Sequence, residues 1–151
     1  MKKIIPLILI ILVCGCISEA DNSELEGPYL VTNVVDGDTL DLNNSARVRL
    51  SGIDTPERGE CYYNEAKDAL IQLTLDKEVF LERDKSNVGK YGRLLRYIYV
   101  ENQPVNSILV YNGYAKVHDK YKNDTKKYLY LKKLEKHAVQ NNLRVWSCAE
   151  G

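Results

Sequence analysis

Asp36-Gly37 lies between two β-rich runs, and no other short feature constrains this chain as strongly. Tyr29 to Val35 reads as one strand, and Asp38-Thr39-Leu40-Asp41-Leu42 as the next. Asp-Gly flanked by such runs predicts a hairpin, because both residues tolerate positive φ. Asn43-Asn44-Ser45 is a second turn signal. Arg47-Val48-Arg49-Leu50 then forms a third strand, ended by Gly52 and Pro56.

From Asn64 the apolar period changes. Ala66, Ala69, Leu70 and Leu73 share helical spacing, which predicts a helix over about 63–75. Val79-Phe80-Leu81 is a fourth strand, Ser86 to Gly92 a polar loop, and Leu94 to Val100 a fifth strand. Pro104 fits a first helical turn, with Val105, Ile108 and Leu109 as its apolar stripe and Gly113 as its stop. Thr125 is placed to cap a last helix, in which Tyr128, Leu131, Leu134 and Ala138 share a face. Three strands, a helix, two strands and two helices make an α+β domain. Five strands of this length suit a small closed sheet.

The 151 residues allow one domain, and 44% hydrophobic content is enough for one core. Formal net charge is zero, unlike that of most nucleic-acid binders, but the charge is unevenly spread. Glu19, Asp21, Glu24 and Glu26 crowd the start, whereas 116–136 carries eight Lys against Asp119, Asp124 and Glu135. Such a run is by default a solvated face. Eleven Tyr give apolar area with a polar tip, suited to half-exposed positions or a binding surface.

The N-terminus reads as an address. Lys2 and Lys3 precede an apolar run from Ile4 to Val13, followed by Cys14-Gly15-Cys16. A basic start, a short apolar stretch and small residues describe an export signal, and ten apolar residues are few for a membrane span. Val13-Cys14-Gly15-Cys16 resembles a lipoprotein signal, in which Cys16 becomes lipid-modified and anchors the chain to the membrane. Simple cleavage, or an uncleaved anchor, is the alternative. Residues 1–16 are thus assigned to the signal, 17–28 to a flexible acidic tether and 29–148 to the folded domain. In an oxidising compartment the remaining pair, Cys61 and Cys148, suggests a disulfide rather than two thiols.

Asp36, Asp38, Asp54 and Glu57 sit in tight turns or at strand ends, where side chains are held and exposed. Hard oxygen ligands suit Ca²⁺ or Mg²⁺. No Cys or His clusters with them, which argues against zinc. Taken alone, the aspartates of Asp-Gly-Asp-Thr and of Asp-Thr-Pro-Glu are more often turn chemistry than metal ligands. Arg49 and Arg93 add planar donor forks that match phosphate oxygens. A divalent metal, two arginines and a carboxylate base fit phosphoryl chemistry.

The order of the pieces is more specific than any one of them. Val35-Asp36-Gly37-Asp38-Thr39, Arg47-Val48-Arg49-Leu50, Asp54-Thr55-Pro56-Glu57, Lys90-Tyr91-Gly92-Arg93, Ala115-Lys116-Val117 and Trp146 follow one another in a pattern that resembles the staphylococcal nuclease (thermonuclease) family across about 29–147. The resemblance implies an OB-fold five-stranded β-barrel with three helices. It also implies Ca²⁺-dependent hydrolysis of DNA and RNA to 3′-phosphates by a monomer. By position, Asp38 and Asp54 would be metal carboxylates, and Thr55 would offer its backbone carbonyl. Glu57 would be the general base or water-orienting group. Arg49 and Arg93 would stabilise the transition state and leaving group. Lys90 and Tyr91 would contact a terminal phosphate, Tyr121 a nucleotide, and Asp36 would stand behind the ligands. Three departures bear on affinity and base preference: a shorter loop after Glu57, Gly89 before the Lys-Tyr-Gly-Arg stretch, and Asp119 where a second Tyr would stand. His118 and His137 read as surface or packing residues, and Trp146 as a core plug. A catalytically inactive OB-fold module that binds nucleic acid or protein is the main rival. An OB-type lipoprotein for oligosaccharide or peptide is another. Neither needs both arginines, both aspartates and Glu57.

Overall fold

The computed structural model describes residues 24–149; the signal and lipid-modification readings, Cys16 included, lie outside that range. β1 (Glu26–Asp36) turns through Gly37 and Asp38 into β2 (Thr39–Leu42), with Val34 opposite Leu40 and Asp36 opposite Thr39. The hairpin forms where the sequence predicts it, but on different grounds. Neither Gly37 nor Asp38 has a positive φ. A Cβ at Gly37 would lie 2.7 Å from Thr55 Oγ1 and 2.9 Å from Thr55 Cβ, so glycine is needed for close approach.

β3 (Arg47–Leu50) pairs antiparallel with β2. β4 (Ile53–Asp54) and α1 (Tyr63–Thr74) precede β5 (Glu78–Val88) and β6 (Leu94–Val100). The strands run β3-β2-β1-β5-β6, and a parallel pairing of β3 with β6 closes the ring. The fold is therefore a closed five-stranded barrel with flanking helices, the α+β, OB-type architecture expected. Val31, Leu40, Val48, Leu50, Val79, Leu81 and Ile98 fill it. Strand alternation leaves Arg47 and Arg49 outside that core; a register slip of one residue would send both arginines inward. Register at β3 thus delivers Arg49 to the surface where the site lies.

β7 (Gln103–Pro104) leads into α2 (Val105–Tyr111), and β8 (Lys116–Val117) pairs with β4. A 3-10 segment, Asp119–Asp124, precedes α3 (Tyr128–Gln140), and a second, Arg144–Ser147, ends the fold. Ala66 and Leu70 of α1, Val105 and Leu109 of α2, and Leu131 of α3 are fully buried. Asn106 holds the barrel where β3 and β6 part. Its Nδ2 donates to Ser51 O at 3.0 Å, and its Oδ1 accepts from Ile98 N–H at 3.0 Å.

Three local expectations change. Residues 26–28, assigned to the tether, belong to β1: Glu26 pairs with Leu81, and its carboxylate meets buried Arg96 at 3.1 Å. Ser86 to Val88, read as loop, continue β5. Thr125 does not cap α3; the helix starts after Lys127, and Thr125 Oγ1 donates to Tyr121 O instead. β4, β7 and β8, two residues each, carry too little pattern to be read from sequence. Cys61 and Cys148 are joined by a disulfide across 87 positions, tying the loop before α1 to the last 3-10 turn. A loop of that size can stabilise by up to about 4–5 kcal/mol through the unfolded chain's lost entropy. Among the described residues, no helix is long and apolar enough to cross a membrane.

Candidate active site

The β1–β2 turn, the segment after β3, the β5–β6 turn and the 3-10 segment Asp119–Asp124 converge on one cleft of about 520 Å³. Asp38, Arg49, Asp54, Glu57, Lys90, Tyr91, Arg93 and Tyr121 all line it, though they span more than eighty positions of sequence. Thr55 stands just behind, buried against Asp38.

Asp38 is set by the turn that makes it. Its N–H donates to Asp36 Oδ1 at 3.0 Å, and Asp36 itself also lines the cleft. Its Oδ2 accepts from Thr55 N–H at 3.0 Å and Thr55 Oγ1 at 2.9 Å. Burial pushes the Asp38 carboxyl up to about 6, although Arg49 pulls it down; the neighbouring charge of Asp36 adds to the rise. A carboxylate held in this way gains from any cation that reaches it.

Arg49 supplies one such charge. Its Nε lies 3.1 Å from Asp38 Oδ1, and its Nη2 lies 3.1 Å from Asp54 Oδ1. Nη1 donates to the carbonyls of Leu50 at 2.7 Å and Ile53 at 2.8 Å, which locks the plane of the guanidinium. Pairing of β4 with β8 sets Asp54 opposite Lys116. Asp54 remains exposed, whereas Asp38 is buried.

Arg93 is anchored far less. One Nη1 reaches Thr39 Oγ1 at a long 3.4 Å, and its buried Nε has no protein acceptor. A buried donor without a partner is uncommon and marks a place where a ligand oxygen or water belongs. Tyr91, 74% exposed, stands at the tip of the β5–β6 turn with Lys90 Nζ 5.5 Å and Arg93 Cζ 5.6 Å from its ring. Gly92, at φ 75°, allows that tight tip, and its N–H donates to Gly89 O at 3.0 Å.

Glu57 is exposed at the cleft's edge, in a loop braced from within. Its backbone N–H donates to Glu60 Oε2 at 2.7 Å, and Glu60 N–H returns a bond to Glu57 O at 2.9 Å. The disulfide at Cys61 follows at once.

The sequence model of the family described as Staphylococcal nuclease homologue matches residues 47–148, the stretch that supplies most of this cleft. This chain belongs to the staphylococcal nuclease family. A micrococcal nuclease of Shigella flexneri is 33% identical to it over 129 residues, 78% of this chain and 72% of that protein. A thermonuclease of Staphylococcus intermedius is 32% identical over 127 residues, covering 78% and 75%. An uncharacterized endonuclease of Escherichia coli O157:H7 is 31% identical over 157 aligned residues, covering 99% and 93%. The chain is accordingly a nuclease, a hydrolase of phosphodiester bonds whose substrates are nucleic acids.

This family member carries cleft residues that sequence reasoning passed over. His118, read as surface or packing, lines the cleft with its ring edge-on to Tyr121 at 4.8 Å between centroids. Lys120 lines it too. His137, by contrast, stacks on Tyr111 at 4.0 Å, away from the chemistry. Trp146 is half-buried under Lys116 Nζ, 4.9 Å from its ring. Glu60 is the other omission. Its carboxylate accepts the Glu57 N–H because the loop turns there, and no motif of the linear sequence marks that contact.

Proposed function

We propose that this nuclease hydrolyses DNA and RNA in a Ca²⁺-dependent reaction that leaves 3′-phosphates. The observation that carries the reading is Arg93, whose buried Nε has no acceptor in the protein and whose nearest bond is long. A phosphate oxygen is the partner that fits a planar, permanently charged donor at the mouth of a cleft.

The donor set fits Ca²⁺. Asp38 and Asp54 both lie 3.1 Å from the same guanidinium, and Thr55 lies beside Asp38. All are hard oxygen donors. Among the described residues, no three His, Cys, Asp or Glu side chains are grouped for a metal. A cation here would therefore draw on Asp38, Asp54, the Thr55 carbonyl and solvent oxygens, which is Ca²⁺ chemistry rather than zinc chemistry. When bound, Ca²⁺ would supply positive charge beside the developing phosphorane.

The side chains account for the remaining steps. Glu57 takes a proton from water, or orients it, and the water oxygen bonds to phosphorus. The P–O5′ bond breaks, the 5′-oxygen takes a proton from solvent and leaves as an alcohol, and the phosphate stays on the 3′ side. Arg49 and Arg93 donate to the equatorial and departing oxygens, where charge develops. Lys90 and Tyr91 hold a terminal phosphate, and Tyr121 supports a nucleotide. We further assign the chain to the cell exterior as a monomer, held to the membrane through lipid on Cys16. Loss of membrane association in a Cys16→Ala variant tests the anchor; retention would reject it.

The primary test is hydrolysis of single-stranded DNA by the full chain with Ca²⁺ and then with a chelator. Cleavage that stops on chelation, and products that carry 3′-phosphates, support the reading. Cleavage that persists without metal, or 5′-phosphate products, would overturn it.

A further inference from the structure

Among the described residues a concavity wider than the catalytic cleft lies elsewhere on the surface. It is an open groove of about 980 Å³ on the far side of the 3-10 segment Asp119–Asp124. Lys85, Lys122, Lys126, Lys127, Tyr128 and Tyr130 line it. The sequence already concentrates Lys between 116 and 136, and the cleft uses little of that charge.

Below the lysines lie two buried carboxylates. Glu82, 2% exposed, accepts from Tyr99 Oη at 2.6 Å and pairs with Lys126 at 3.2 Å and Lys127 at 3.0 Å. Burial alone would raise the Glu82 carboxyl, but the bonds from Tyr99, Lys127 and Lys126 hold it below the ordinary carboxylate range. Asp84, also buried, accepts the backbone N–H groups of Lys85 and Lys126. Four lysines line the groove and neither carboxylate does, Asp84 lining the catalytic cleft instead, so the groove keeps a positive surplus. Aromatic faces sit among them: Tyr130 is 50% exposed, and Leu129 beside it is 80% exposed.

The groove and the cleft lie on opposite sides of one wall. Thr125 lines both, and the 3-10 segment between them turns Lys120 and Tyr121 to the cleft and Lys122 and Asn123 to the groove. Lys85 Nζ donates to Asn123 O at 2.9 Å, so β5 braces this partition from the groove side.

We propose that this groove is a second nucleic-acid site, which holds single-stranded polynucleotide beyond the nucleotides at the cleft and favours long polymers over short ones. Lysines interleaved with tyrosines provide phosphate neutralisation and base stacking without sequence choice. An OB-type barrel typically engages about 4–16 nucleotides of single strand. An anionic membrane surface would find the same charge, but the concave shape and the shared wall with the cleft favour a strand that leaves the catalytic centre. The proposal rests on the nuclease reading of the cleft.

The test uses the full chain with Ca²⁺ on two substrates, a long single-stranded DNA and a 5′-phosphorylated dithymidylate. Lys122→Gln and Tyr130→Ala, alone and combined, leave the Glu82 pairs untouched. The combined variant should raise KM for the polymer by about tenfold or more at moderate salt, with kcat unchanged and KM for the dinucleotide unchanged. Lys122→Gln alone should lower the slope of log KM against log salt by about 0.7. An unchanged polymer KM overturns the proposal, as does an equal rise for both substrates. So does loss of binding to vesicles of equal phosphatidylglycerol and phosphatidylcholine with polymer KM intact. Failure of the wild-type chain to cleave the dinucleotide with Ca²⁺ would count against the reading of the cleft instead.

Discussion

Arg49 Nε lies 3.1 Å from Asp38 Oδ1, and the same guanidinium reaches Asp54 while two carbonyls fix its plane. A single arginine thus holds the two candidate metal carboxylates in one geometry before any ligand arrives. Arg49→Lys keeps the charge but loses the fork, so Asp38 and Asp54 cease to share a partner. The expected loss is about 10²–10³-fold in kcat on single-stranded DNA, with circular dichroism unchanged. Turnover near that of the wild type would show that the fork is not used in the transition state.

Glu57→Ser should lower kcat by about 10²–10⁴-fold and leave the unfolding midpoint almost unmoved, because the Glu57 side chain is exposed and its loop is held by backbone bonds to Glu60. A variant that retains most of its turnover takes Glu57 out of the proton-transfer role. Restored activity in Glu57→Asp would support a carboxylate acting through water.

Asp38 gives a pH signature. Its folded-state value, about 6, exceeds the unfolded carboxylate's 3.8, so the folded protein binds the extra proton more readily. In chelator, the Asp38 contribution to stability is full below about pH 4 and is lost as pH rises through about 6. Asp38→Asn should flatten that part of the curve of unfolding free energy against pH. Stabilisation by added Ca²⁺ should grow across the same interval, because the ionised carboxylate is the ligand. An identical pH profile in Asp38→Asn would remove the burial argument.

Gly37→Ala brings a methyl to 2.7 Å from Thr55 Oγ1 and 3.0 Å from Ala66 Cβ. The turn must shift, and urea unfolding should report a loss of about 1–3 kcal/mol. Because Thr55 is also a partner of Asp38, kcat should fall with stability. Unchanged stability would mean that the approach of this turn to Thr55 is not needed.

Much of the fold was legible because it rests on local pattern. The Asp-Gly turn, the alternation of Arg47-Val48-Arg49-Leu50 and the period change at Asn64 each state their element within a few residues. Boundaries set by partners were not legible. Glu26 is a strand residue because Leu81 and Arg96 face it, and Thr125 is diverted from capping by the Tyr121 carbonyl. The cleft residues could be named from their order, yet their couplings could not. Nothing in the spacing indicates that Arg49 spends Nη1 on Leu50 and Ile53, or that Arg93 Nε is left without an acceptor.

By itself the sequence determined which residue types are present, in what order, and which face of each strand they occupy, since a period of two leaves no choice once one face must be buried. Tertiary structure alone decided which of them meet. Closure of β3 against β6 draws the β1–β2 turn, Asp54, the β5–β6 tip and Tyr121 around one cleft, and burial there sets the Asp38 carboxyl near 6. Desolvation and charge proximity depend on three-dimensional distance, and a linear order of residues does not contain it.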